Sequence, residues 1–184
     1  MAKVLVPLAQ GCEELEAVTI IDLLRRAGIE VVTAGLSGGA VTCSRGVVIM
    51  PDHVLDAVLE DDFDMIILPG GQPGADNLDA DPRIQQKIRQ MAVGGKYVAA
   101  ICAAPKVLAS AGVLQGKQAT SYPGVIDAMD LPDTDYLDQA VVIDDKVVTS
   151  RGPGTAMDFA LTLIDKLAGI TQRISVEKSL VRTH

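Results

Sequence analysis

The chain has no tryptophan and only two phenylalanines and three tyrosines in 184 residues. This scarcity excludes a core built on aromatic rings, so the 48% hydrophobic content falls on Val, Ile, Leu and Ala. Short aliphatic runs of this kind suit a sheet covered on both faces by helices. None of them approaches the about 18 to 20 residues that a membrane span requires, and no membrane partner is expected. Three cysteines without CxxC spacing argue against a disulfide framework or a structural zinc site. No Lys/Arg cluster interrupts the net charge of −8, which disfavours strong direct binding to nucleic acid or to anionic membrane surfaces. Dinucleotide and nucleotide motifs are also missing, because no GxGxxG follows the first strand and no GxxxxGKS or GxxxxGKT occurs. Gly152-Pro153-Gly154-Thr155 opens a helix, but its proline removes a donor and no lysine follows, so it reads as a cap.

What is present alternates between strands and helices. Lys3 to Leu8 reads as a strand, and Glu13 to Arg26 as an amphipathic helix with acids first, arginines last and a stop at Gly28. Ile29 to Leu36 is a second strand, and Ala40 to Met50 an extended segment broken around Ser44-Arg45-Gly46. Asp64 to Leu68 and Tyr97 to Ile101 are buried strands, each followed by a helix, Pro82 to Ala92 and Pro105 to Ala111. Lys117 to Ser121 and Ala140 to Ser150 are late strands, the second turning at Asp144-Asp145, before helices to Leu167 and from about Thr171 to Val181. The expected fold class is α/β, a doubly wound, mostly parallel sheet with helices on both faces, in one domain over 1–184. The start, Met1-Ala2-Lys3, has no signal-peptide pattern, and the expected location is cytoplasmic.

The most informative segment is Ala100-Ile101-Cys102-Ala103-Ala104-Pro105. A β-branched run ends at the cysteine, small residues flank it at two positions on either side, and a proline opens a helix three residues on. This is the pattern of a tight strand-to-helix elbow that thrusts one side chain over the sheet end, as in the serine version of this turn. A thiol there faces a helix N-terminus, which favours thiolate, so Cys102 reads as a reactive nucleophile ionised at neutral pH. In open parallel sheets the site lies beyond the carboxyl ends of the strands. Gly70-Gly71 and Glu13-Glu14-Leu15-Glu16 arrive at that end as well. The glycines let backbone N–H groups approach a ligand, and with the Ala103 N–H they form a candidate oxyanion hole.

A histidine base is hard to find. The only candidates are His53, which reads as a solvated loop residue, and the terminal His184, so a Cys-His hydrolase is poorly supported. Glu16 is the remaining proton carrier, with an acidity weakened by burial and by the neighbouring thiolate. Glu13 and Glu14 are expected simply to favour the helix N-terminus.

Six ordered blocks run almost end to end: Glu13-Glu14-Leu15-Glu16, Arg25-Arg26-Ala27-Gly28, Thr42-Cys43-Ser44-Arg45-Gly46, Leu68-Pro69-Gly70-Gly71, Ala99 to Pro105, and Thr149 to Thr155. Together they resemble the ThiJ/PfpI superfamily, in particular its parkinsonism-associated deglycase branch and bacterial YajL-type proteins. The resemblance implies a flavodoxin-like fold, a homodimer, Cys102 as an oxidation-sensitive nucleophile and a hydrogen bond from Glu16 to it. It also implies that the Gly71 amide contacts the cysteine's oxygens once oxidised. Arg26 and Arg45 resemble arginines lying at the dimer interface near the pocket, where they can attract anions, and Cys43 resembles an interface-near cysteine. Tyr122 stands where animal members carry a histidine, so no mechanism here can use that base. Cys12 is a second departure, read as a small buried hydrophobe or as a resolving thiol for Cys102.

The leading expectation is a cysteine-dependent enzyme acting on small reactive dicarbonyls or on glycated protein side chains, without metal or organic cofactor. The alternative is a redox-sensing chaperone in which Cys102 is oxidised to sulfinate.

Overall fold

A computed structural model of the chain describes residues 1–182; His184 lies outside them. The strands are β1 (Lys3–Leu8), β2 (Glu30–Gly35), β3 (Val41–Thr42), β4 (Val48–Ile49), β5 (His53–Val54), β6 (Met65–Leu68), β7 (Tyr97–Ile101), β8 (Gln118–Ala119), β9 (Asp135–Tyr136), β10 (Val141–Asp144) and β11 (Val147–Ser150). The helices are α1 (Glu14–Arg26), α2 (Gln72–Ala80), α3 (Pro82–Val93), α4 (Pro105–Ser110), α5 (Ala156–Ala168) and α6 (Ile170–Ser179).

Seven strands form one sheet in the order β10-β11-β7-β6-β1-β2-β5. All neighbours are parallel except β10, which returns antiparallel on β11. The chain runs outward from β1 through β2 to β5, then crosses back to β6 on the other side of β1. Strand order therefore reverses between β1 and β6, and their carboxyl ends open a crevice there. β6 is buried at every residue, and β7 at all but its first. Such strands need cover on both faces, which two packed groups of helices supply: α1 with α5 and α6, and α2 with α3 and α4.

Helix α1 shows how the sequence places the site. Its buried stripe runs through Glu16, Ala17, Ile20, Leu23 and Leu24, the spacing of one helix face. A carboxyl group thus occupies a core position, which is costly without compensating partners. Glu13 caps the helix, its carboxylate accepting from the Glu16 N–H at 2.8 Å.

The structure differs from the sequence reading in three places. The segment after Gly71, to which the sequence reading assigns no element before Pro82, is helical (α2), although it contains Pro73, Gly74, Asp76 and Asn77. Proline is harmless in a first turn, and a Cβ at Gly74 would stand 2.5 Å from Cys12 Cα, so packing rather than propensity chose these residues. The strand expected over 117–121 shrinks to β8, which pairs with β9 in a separate sheet. His53 is exposed as expected, but it lies in the edge strand β5 rather than in a loop.

Candidate active site

Cys102 follows the last residue of β7 and has φ of 64°, a left-handed conformation rarely adopted by residues with a side chain. Neighbouring strands hold it there. Its N–H donates to Ser150 O at 3.0 Å, and its carbonyl accepts from Tyr122 N–H at 2.8 Å. Ala100 and Ala104 are both fully buried, so larger side chains would not fit around the turn. Cys102 is 8% exposed, and that sliver opens on a cavity of about 340 Å³. Glu13, Ser44, Arg45, Gln72 and Tyr122 line its walls, with Ala103 and Gly71 beside the sulfur.

Glu16 lies beneath this cavity, fully buried. Its Oε2 accepts from the Gly70 N–H at 2.8 Å, whereas Oε1 has no hydrogen-bond partner. A Cβ at position 70 would stand 2.5 Å from Cys102 Cβ and 2.7 Å from Glu16 Oε2. Only glycine allows the carboxyl and the thiol to close on each other there. Gly71, with φ of 83°, is equally constrained, because a Cβ would fall 2.6 Å from Gly11 O.

Each acid changes the other. Burial raises the Glu16 carboxyl to about 7, against the Gly70 N–H and the nearby Cys102 thiol, which favour its anion. Burial, then the Glu16 negative charge, push the Cys102 thiol up to about 12, opposed by the Gly71 and Ala103 N–H groups. This corrects the expectation of a thiolate stabilised by a helix dipole. The sulfur is largely dehydrated, its nearest acid is anionic above neutral pH, and α4 has only six residues to supply a dipole. Protonating Glu16 removes the repulsion and leaves Oε1, the oxygen without a partner, to carry the proton. The two side chains therefore titrate as one unit.

Other assignments also shift. The Gly70 amide is committed to Glu16, so Gly71 and Ala103 are the donors left at the sulfur. Arg45 and Tyr122 line the cavity, and within one chain Arg26 ends α1, paired with Asp22 at 2.8 Å, about 15 Å of helix beyond Glu16. Cys12 faces Cys43, sulfur to sulfur at 3.5 Å, rather than Cys102. Glu14 does more than favour a helix terminus. Its carboxylate accepts from Ser44 Oγ at 3.0 Å, Arg45 N–H at 2.9 Å and Val47 N–H at 3.4 Å, fastening the β3–β4 turn to α1. Although burial opposes it, these donors hold the Glu14 acid below its ordinary value.

The model of the DJ-1/PfpI family matches residues 2–166. The chain belongs to this family. Protein dj-1beta of Drosophila melanogaster is 46% identical over 179 residues, 96% of this chain and 95% of that protein. The crystal structure of Drosophila melanogaster DJ-1beta superposes with a TM-score of 0.95 at 45% identity, covering 100% of this chain and 99% of that one. The glutathione-independent glyoxalase DJR-1.2 of Caenorhabditis elegans is 39% identical, over 97% of this chain and 95% of that protein.

In this DJ-1/PfpI member, the sequence reading missed Ser44, Gln72, Pro73, Val125 and Pro153 of the cavity wall. A signal existed for Gln72 and Pro73, which directly follow the paired glycines, and for Ser44 beside Arg45. Nothing local marks Val125 or Pro153. Among the described residues, no group of three or more His, Cys, Asp or Glu side chains is placed to hold a metal, and no helix is long and apolar enough to cross a membrane.

Proposed function

We propose that the chain is a cysteine-dependent enzyme that converts small 2-oxoaldehydes to 2-hydroxy acids without glutathione, and that reverses the adducts such compounds form on protein side chains. One observation supports this above all: a buried carboxyl raised to about 7 lies beside a thiol under a cavity, with two backbone donors on the sulfur. The glyoxalase name of the 39% identical nematode relative points the same way.

Cys102 Sγ adds to the aldehyde carbon while Glu16 accepts the thiol proton and passes it to the carbonyl oxygen, giving a hemithioacetal. The Gly71 and Ala103 N–H groups stabilise the oxyanion on the way. Glu16 then removes the proton from the former aldehyde carbon and returns it to the adjacent carbon through an enediol, as the hydroxyl proton of the first oxygen passes to the neighbouring one. The former aldehyde carbon is oxidised to a thioester, and its neighbour is reduced to an alcohol. Water hydrolyses the thioester, releasing the hydroxy acid and restoring the thiol. An acid near 7 suits both halves of this shuttle at neutral pH. Arg45 at the cavity mouth favours substrates or products bearing negative charge.

The exposed apolar side chains Leu15 and Val18 of α1 and Val47 and Val48 beside it would pair two copies into a homodimer. A cytoplasmic location completes the proposal. The sulfinate-sensor alternative is not favoured, since the nematode relative is named as a glyoxalase.

The test is production of D- or L-lactate from methylglyoxal, without glutathione, by wild type, Cys102→Ser and Glu16→Gln. Turnover in wild type alone is expected. No turnover in wild type, or equal turnover in all three, refutes the proposal.

A further inference from the structure

The second thiol pair takes no part in the chemistry above, since neither Cys12 nor Cys43 lines the cavity. Cys12 is fully buried and Cys43 is 4% exposed, and their sulfurs are 3.5 Å apart. A disulfide bond is about 2.05 Å long, so closure needs an approach of only about 1.5 Å. Two backbone hydrogen bonds hold the segments together on either side, Gly11 N–H to Thr42 O and Ser44 N–H to Cys12 O, both at 2.8 Å. We propose that Cys12 and Cys43 form a reversible disulfide with small-molecule disulfides as oxidant, a redox modification site that clamps one wall of the cavity.

The backbone decides which side moves. Cys12 is wedged against glycines, since a Cβ at Gly74 would lie 2.5 Å from Cys12 Cα and one at Gly71 would lie 2.9 Å from Cys12 C. Cys43 begins the turn between β3 and β4, two strands of two residues each whose neighbours Arg45, Gly46 and Val47 are exposed. Glu14 ties this hairpin to α1, so it shifts as one piece, and it carries Ser44 and Arg45 of the cavity wall. Bond closure therefore draws the hairpin inward and carries those two residues with it.

Cys43, the more accessible sulfur, reacts first. After losing its proton to water, it attacks one sulfur of the oxidant, forming a mixed disulfide and expelling one thiol. Cys12 then gives up its proton and attacks Cys43 Sγ, expelling the second thiol. Two protein thiols are oxidised and one small disulfide is reduced to two thiols. Burial raises both protein thiols, Cys12 the more strongly buried, so the exchange accelerates with rising pH.

The experiment treats the full chain, as wild type and as Cys102→Ser, with glutathione disulfide, and maps peptides before and after dithiothreitol. A Cys12–Cys43 linkage is expected in both proteins, with loss of both thiols from Cys102→Ser and their return on reduction. In Cys12→Ser the glutathione adduct on Cys43 should persist. A persistent Cys43 adduct in wild type, a Cys12–Cys102 or intermolecular Cys43–Cys43 link, or two thiols still free would each overturn the inference.

Discussion

Replacing Glu16 by glutamine should stabilise the protein above neutral pH, and the gain should fade in acid. The Glu16 carboxyl sits at about 7 in the fold against an ordinary value of 4.5. A carboxyl raised on folding binds its proton more tightly in the native state, so its contribution to stability falls as pH rises from 4.5 to 7. Above that window the ionised group costs the fold about 3 kcal/mol, from the distance between the two values. Glutamine keeps an oxygen to accept from the Gly70 N–H but carries no charge. Urea unfolding of wild type and Glu16→Gln should therefore show the variant more stable by about 3 kcal/mol near pH 8 and by under about 1 kcal/mol near pH 5. A gap that stays constant with pH, or a variant less stable than wild type at pH 8, would refute the reasoning.

Three further outcomes follow from the same geometry. Gly70→Ala forces a Cβ to within 2.5 Å of Cys102 Cβ and 2.7 Å of Glu16 Oε2. It should lower stability by about 1 to 3 kcal/mol in urea unfolding and abolish dicarbonyl turnover. Arg45→Ala should raise KM for a dicarbonyl substrate with little change in kcat in steady-state assays. Ala104→Val, at a fully buried position of the elbow, should cost about 1 to 3 kcal/mol by urea unfolding and slow Cys102 alkylation.

Much of the fold was legible because its central strands are short, almost wholly aliphatic runs. β1, β6 and β7 follow from Lys3 to Leu8, Asp64 to Leu68 and Tyr97 to Ile101. Helix α2 was not legible, since the composition of Gln72 to Asn77 reflects close packing against Cys12 rather than helix preference. At the site, residue identity and strand-end logic brought together Cys102, Glu16, Gly71 and Ala103. Two matters stayed hidden because they depend on three-dimensional environment. The acidity of Cys102 is set by burial and by Glu16, which outweigh the dipole of a short helix. The partner of Cys12 is set by the return of the β3–β4 hairpin, 31 positions away in the chain.

The central claim is that Cys102 and Glu16 share a proton. Cys102 Cβ and Glu16 Oε2 lie 2.5 and 2.7 Å from one common point, so they are about 5.2 Å apart at most. The sulfur lies one bond from that Cβ; for a charge separation of about 5 Å and an effective dielectric constant of about 20, the repulsion is about 3 kcal/mol, a little over two decades in thiol acidity. The most direct test is the pH dependence of Cys102 alkylation in wild type and in Glu16→Gln, with Cys12 and Cys43 quantified separately by peptide mapping. The account predicts that the variant's Cys102 ionises about two decades lower in pH, even though its turnover is lost. A Cys102 that titrates at the same pH in both proteins, or higher in the variant, would contradict it.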